Sequence, residues 1–177
     1  YHHEKLHKSL AIAGFSTGGD LALLQAANKP GRFRAVVSIN APLSLQHISS
    51  KFASVIVAWN TVLSTLHLER GKMEFVSNEP QNRHINYFRN PVSGVRQLEK
   101  LMHSVEKRLK DVSDPVLVVQ ATEDPVVNPE SGRTIFEKLH SETKSFVSIQ
   151  ADQHGILWSG HVEEVQRKVL DFLDGLY

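Results

Sequence analysis

In "AIAGFSTGGDLALLQAA", residues 11–27, an apolar run breaks at a glycine-rich turn and reopens at once as a helical pattern; a second apolar run, Ala35-Val36-Val37-Ser38-Ile39, follows. The first run, Ser9 to Ala13, reads as a strand, and the helix opening at Asp20 ends around Asn28-Lys29-Pro30-Gly31. A strand, a helix and another strand joined this tightly form a crossover unit with parallel strands. No other feature constrains the fold as much, because a parallel sheet has to be covered on both faces.

Two further runs continue the alternation, Val116 to Val119 after Asp114-Pro115 and Ser145 to Ile149. Between them, Ile135, Phe136 and Leu139 recur at helical spacing within Ser131 to His140. After them, Val162, Val165, Val169, Phe172 and Leu173 mark a terminal amphipathic helix. The expectation is an α/β core in residues 1–42 and 115–177, built as a parallel sheet flanked by helices. Residues 43–114 interrupt it with an apolar helical segment, Phe52 to Leu66, a polar passage containing Asn78-Glu79-Pro80 and Asn90-Pro91, and an amphipathic helix, Val95 to Leu109. A connection this long reads either as a helical cap inserted over a site or as a hairpin that thickens the core.

Composition narrows the chemistry. The net charge is +1 with basic and acidic residues interspersed, which leaves no electrostatic footprint for nucleic acid or an anionic membrane. Cysteine is absent, so disulfides, thiolate metal sites and a cysteine nucleophile are excluded, and a reducing, cytoplasmic location is expected. No apolar run approaches the roughly 18 residues of a membrane span. With neither metal-ligand spacing nor a phosphate-cradling loop, the reading is chemistry without a metal or cofactor.

Gly14-Phe15-Ser16-Thr17-Gly18 fits G-x-S-x-G, in which a serine tops a sharp strand-to-helix turn with strained backbone and its flanking glycines relieve crowding. The plain alternative is a glycine-rich connection with a capping serine. A serine nucleophile needs a base and an acid to orient that base. Two loops leaving strand ends offer both: Gln120-Ala121-Thr122-Glu123-Asp124-Pro125 and Gln150-Ala151-Asp152-Gln153-His154-Gly155. Both leave the carboxyl edge, where sites form in open parallel sheets. Asp124 precedes a proline, which favours an extended residue entering a turn, with Glu123 beside it as the alternative carboxylate. His154 follows a strand, with His161 as the alternative base at the start of the last helix; Asp152 shares the histidine's loop and is badly placed to hold its far nitrogen. Asp20 reads as a first-turn complement to the helix dipole.

"AIAGFSTGG", "PVLVVQATEDPVVNPESG" and "ADQHGIL", with a helix ending in "DFLDGL", resemble the carboxyl-terminal part of serine α/β-hydrolases of the carboxylesterase and monoacylglycerol lipase-like branch. The resemblance implies Ser16 as nucleophile, Asp124 as acid, His154 as general base and the Thr17 N–H as one oxyanion donor. It implies hydrolysis of a small-molecule carboxylic ester with an apolar acyl or alcohol group, which Trp59 in the cap segment would contact. Thioesterase, amidase or peptidase chemistry uses the same triad, and a non-catalytic interaction module or an incomplete fragment is the alternative of another class.

The family places several strands and an oxyanion-donating loop before its serine, whereas ten residues precede Ala11 here. The expectation is therefore that the amino-terminal strands are absent from this chain and that a second chain or dimer partner completes the sheet. Loss of one oxyanion donor costs about a hundredfold or more in turnover.

Overall fold

The runs Ala35–Ile39 and Val116–Ala121 are buried at every residue and form the middle of a parallel sheet. The computed structural model describes residues 10–46, 53–65, 72–77 and 89–176; Ser9, Phe52, Leu66 and Asn78-Glu79-Pro80, on which part of the sequence reading falls, lie outside them. The described chain runs β1 (Ala11–Phe15), α1 (Thr17–Asn28), β2 (Ala35–Ile39), α2 (Ala53–Thr65), β3 (Phe75–Ser77), β4 (Arg89–Pro91), α3 (Val92–Arg108), β5 (Val116–Ala121), α4 (Glu130–Lys138), β6 (Lys144–Ile149) and α5 (Val162–Asp174). It divides into two compact units, Tyr1–Gln46 with Leu101–Tyr177, and His47–Lys100.

In the first unit the strand order is β1-β2-β5-β6, all parallel. Successive strands add in one direction, so right-handed crossovers put their helices on one face. Ala22, Leu23 and Ala26 of α1 and Ile135 of α4 accordingly pack with Val36, Val116 and Val118. The strand residues between these point to the other face, where Val37, Leu117 and Val119 meet Ile149, Ile156 and Val165, the last from α5. β1 lies at the sheet edge among the described strands, with Ala11 and Ala13 exposed rather than buried.

In the second unit β3 and β4 form an antiparallel pair where the sequence reading expects only a polar passage. Each is three residues long and β4 contains Asn90-Pro91, so neither carries a legible period; the pairing extends into Val92 N–H donating to the Glu74 carbonyl. Asn60 on α2 binds both backbone groups of Met73, and Val92 packs against Ile56 and Val95.

α1 begins at Thr17, three residues before the expected start, because one residue, Ser16, separates it from β1 and the glycines form its first turn. Asp20 departs from the sequence expectation. It is fully buried, neither carboxyl oxygen has a hydrogen-bond partner among the described residues, and desolvation pushes its pKa up from 3.8 to about 8. A group that is uncharged at neutral pH does not complement a helix dipole with a full charge.

Asp20 makes stability depend on pH. Its folded-state pKa lies above the unfolded value, so between about pH 4 and pH 8 the unfolded chain binds fewer protons and stability falls as pH rises. Urea unfolding midpoints should show a loss on the order of 2 kcal/mol from about pH 5 to pH 7 that is absent in Asp20→Asn. Equal slopes in the two proteins would assign the dependence to other groups.

Candidate active site

Ser16 is the single residue between β1 and α1, with φ 53° and ψ −126°, positive φ that a non-glycine residue adopts only when its surroundings enforce it. The enforcement is visible on both sides. Its N–H donates to the Ile39 carbonyl at the end of β2 (2.8 Å), and its carbonyl accepts the Gly19 N–H (2.8 Å) as α1 begins. A Cβ on Gly14 would lie 1.9 Å from the Gly18 carbonyl oxygen, so strand and helix approach more closely there than any side chain allows. At Gly18 itself a Cβ would meet nothing within 4 Å, which corrects the expectation that both flanking glycines relieve a clash. The crowded atom at Gly18 is its carbonyl, and that crowding falls on Gly14.

The Thr17 N–H stands at the first position of α1, where no intrahelical carbonyl is in reach, and no acceptor takes it among the described residues. It is open to a ligand.

The other candidate residues come from the ends of β5 and β6. Asp124 is fully buried. One carboxyl oxygen accepts the N–H groups of Val126 (2.8 Å) and Val127 (2.9 Å), and the other meets His154 Nδ1 at 2.6 Å. This loop is strapped down by the segment after β2, through the Leu45–Val127 bridge and the bond from Gln46 N–H to the Val126 carbonyl. With Nδ1 engaged, the tautomer that donates to Asp124 leaves Nε2 free to accept a proton.

The ring of His154 lies 4.8 Å from that of Phe15, the residue before Ser16. This contact brings the histidine to the serine turn, but no hydrogen bond joins it to the Ser16 hydroxyl among the described residues. Phe15 also meets Trp158 edge-on at 5.1 Å, and the indole is largely exposed beside the histidine loop.

The rival residues lie elsewhere. Glu123 and Asp152 are exposed. His161 is the residue before α5, makes no side-chain capping bond, and faces Glu164 at 4.0 Å. Trp59 sits on α2 of the second unit with 56% of its surface exposed. Among the described residues no group of three acidic or histidine side chains is arranged to hold a metal.

Sequence reasoning missed Asn40. It is fully buried, has φ 46°, and uses both ends of its amide: Oδ1 accepts the Ala121 N–H and Nδ2 donates to the His154 carbonyl, each at 2.8 Å. The available signal was a lone amide directly after an apolar strand, in "SINAP".

The glycines separate in a direct test. Gly14→Ala should lower the melting temperature sharply, since something must shift by more than 1 Å to admit the methyl. Gly18→Ala should leave stability unchanged or raise it by up to about 1 kcal/mol, because it has helical angles and open space. Thermal melts giving both variants the same loss would contradict this packing.

The chain is 26% identical over 171 residues to a carboxylesterase of Bacillus subtilis (strain 168), covering 96% of this chain and 65% of that protein. It is 25% identical over 147 residues to a thermostable monoacylglycerol lipase of Bacillus sp. (strain H-257), covering 83% of this chain and 55% of the relative. The chain thus spans about two thirds or less of the curated relatives it matches. A solved structure from work on LipS and LipT, two metagenome-derived lipolytic enzymes, superposes with a TM-score of 0.77 at 21% identity, over 94% of this chain and 65% of that one. The monoacylglycerol lipase of Paleococcus ferrophilus gives 0.73 at 22% identity, over 98% and 71%. These likenesses show the α/β-hydrolase fold. Residues 1–159 match the family described as serine aminopeptidase, S33, and the chain belongs to that family of α/β-hydrolases.

Proposed function

We propose that this chain carries the nucleophile, acid and base of a serine hydrolase that cleaves carboxylic esters. The observation that carries the reading is the pairing of a strained Ser16 between β1 and α1 with a buried Asp124–His154 bond of 2.6 Å at the neighbouring strand ends. In this reading Ser16 sits on a nucleophile elbow and attacks the ester carbonyl. His154 Nε2 takes the hydroxyl proton and returns it to the leaving alcohol, while Asp124 holds the ring in the tautomer this requires. The Thr17 N–H, at the positive end of α1, receives the oxyanion. Unliganded sites commonly leave the serine–histidine bond open until substrate closes it.

Esters are favoured over amides because both curated relatives are named for ester cleavage. The family's own description supports a second reading, removal of an amino-terminal residue from a peptide by the same triad. Of the expected cap segment 43–114, the second unit would in either case act as the cap that selects the acyl or leaving group, with Trp59 and Val62, both more than half exposed on α2, as contact residues, while Val105, Leu109 and Val112 belong to the core of the first unit. The outer edge of β1, unpaired among the described residues and beside a cleft of about 390 Å³ lined by Ile12, Leu21 and Leu24, is where a second chain or dimer partner would extend the sheet.

A fluorophosphonate probe should label the chain, and Ser16→Ala should abolish both labelling and hydrolysis of every p-nitrophenyl ester. Labelling that survives Ser16→Ala would overturn the assignment. Aminoacyl p-nitroanilides run alongside decide between the ester and peptidase readings.

Trp59→Ala should change the profile across p-nitrophenyl esters of increasing chain length by about 1 to 3 kcal/mol in discrimination, with Ser16 labelling intact. An unchanged profile would remove Trp59 from substrate contact.

A further inference from the structure

Ser16, Asp124 and His154 stand on three separate segments, and the consecutive residues Ile39 and Asn40 bond the serine's turn, the end of β5 and the histidine's peptide. The Ile39 carbonyl holds the Ser16 N–H at 2.8 Å. The next residue, Asn40, anchors its own N–H on the Val119 carbonyl of β5 (2.9 Å), takes the Ala121 N–H on Oδ1 (2.8 Å), and donates from Nδ2 to the His154 carbonyl (2.8 Å). The node therefore touches the nucleophile's turn, the strand end that leads into the acid loop, and the base's own peptide.

We propose that Asn40 is a positioning residue that sets the separation of Ser16 and His154 by tying the histidine's backbone to the strand end that holds the serine. The proposal rests on the reading of these two residues as nucleophile and base.

The residue type follows from the contacts. One partner is a donor and the other an acceptor, so the side chain needs an acceptor and a donor side by side, which an amide supplies on two separate atoms, an ionised carboxylate lacks, and a hydroxyl offers only from a single atom. The chain turns at Asn40 with φ 46°, and asparagine tolerates left-handed backbone better than most residues with a side chain. Asn40 is fully buried, so with the amide gone the Ala121 N–H loses its side-chain acceptor and the His154 carbonyl keeps only the Ile156 N–H. The histidine loop then keeps its ring contacts to Asp124 and Phe15 and the bonds of Glu123 N–H to the Ala151 carbonyl and Ile156 N–H to the His154 carbonyl, but loses its tie to the end of β2. A ring displaced by a fraction of an ångström still binds Asp124 but no longer meets the serine hydroxyl in line, and misplacement on the scale of 1 Å costs about a hundredfold in rate.

Two variants test this. Asn40→Gly keeps the left-handed turn and removes the amide. Asn40→Asp keeps the shape and the acceptor for Ala121 but removes the donor to His154. In both, kcat for p-nitrophenyl acetate should fall about a hundredfold with KM within about twofold, because positioning of the base and not ester binding is lost. The deshielded His154 Nδ1 proton should also shift or broaden in the NMR spectrum, which general loosening of the fold away from this loop would not cause. A kcat within about threefold of the parent in a variant that unfolds cooperatively, or an unmoved Nδ1 resonance, would overturn the proposal. Should Asn40→Gly fail to fold, Asn40→Asp decides by the same criteria. Ser16→Ala measured in parallel separates the two ideas: if it hydrolyses the ester as fast as the parent, the hydrolase reading fails, and the Nδ1 resonance, which needs no turnover, decides the Asn40 proposal by itself.

Discussion

The parallel ladder ends in a shared register. Phe15 is level with Ile39, Ile39 with Val119, and Ala121 with Ile149. Each candidate residue follows one of these ends: Ser16 directly after Phe15, Asn40 directly after Ile39, Asp124 beyond Ala121 and His154 beyond Ile149. A slip of one residue between β2 and β5 would turn Leu117 and Val119 to the face now filled by Val116 and Val118. It would also move Asp124 by about 3.3 Å, more than any hydrogen bond in the site tolerates. The apolar alternation that builds two cores thus fixes the distances on which the polar site depends.

Two of the three buried aspartates in this unit, Asp20 and Asp124, are treated in opposite ways. Three donors converge on Asp124, from Val126, Val127 and His154. Asp20 has none and is driven by desolvation toward its neutral form, with a pKa of about 8. Its place gives that neutrality a consequence. Asp20 lies in the first turn of α1, within one turn of the Thr17 N–H, and an ionised carboxyl there would oppose an oxyanion formed at the same helix end. Burial costs stability and leaves the positive end of the helix unopposed at neutral pH.

The parts that sequence reveals are those written in local periodicity. All four parallel strands and the helices α1, α4 and α5 follow from apolar runs and helical spacing, and the turn at Ser16 from its glycines. β3 and β4 were not legible, because three-residue strands owe their existence to a partner distant in sequence. Asp20 misled because a first-turn acidic residue is ordinarily solvated, and only the packing of α1 shows that this one is not. Gly18 misled for a related reason: the pattern names two glycines, while the steric conflict is between the Cα of Gly14 and the carbonyl of Gly18. Asn40 was missed because its role lies in three contacts spanning residues 40, 119, 121 and 154, which no single window contains.

On the proposed function, that distribution separates the residues that would set the reaction from those that would select the substrate. The bonds among Ser16, Ile39, Asn40, Ala121, Asp124 and His154 all lie within the first unit, in backbone ladders and buried amide contacts that admit little variation in geometry. The large exposed apolar side chains, Trp158 beside the histidine loop and Trp59 and Val62 on α2, make no hydrogen bond in that network. On the proposed reading, exchanging them would alter which apolar group is met, with an energy limited to that of a hydrophobic contact, and would leave proton transfer untouched. A chain can then keep one acyl-transfer geometry while its relatives are named for different esters, because preference and chemistry are carried by residues that do not share a hydrogen bond.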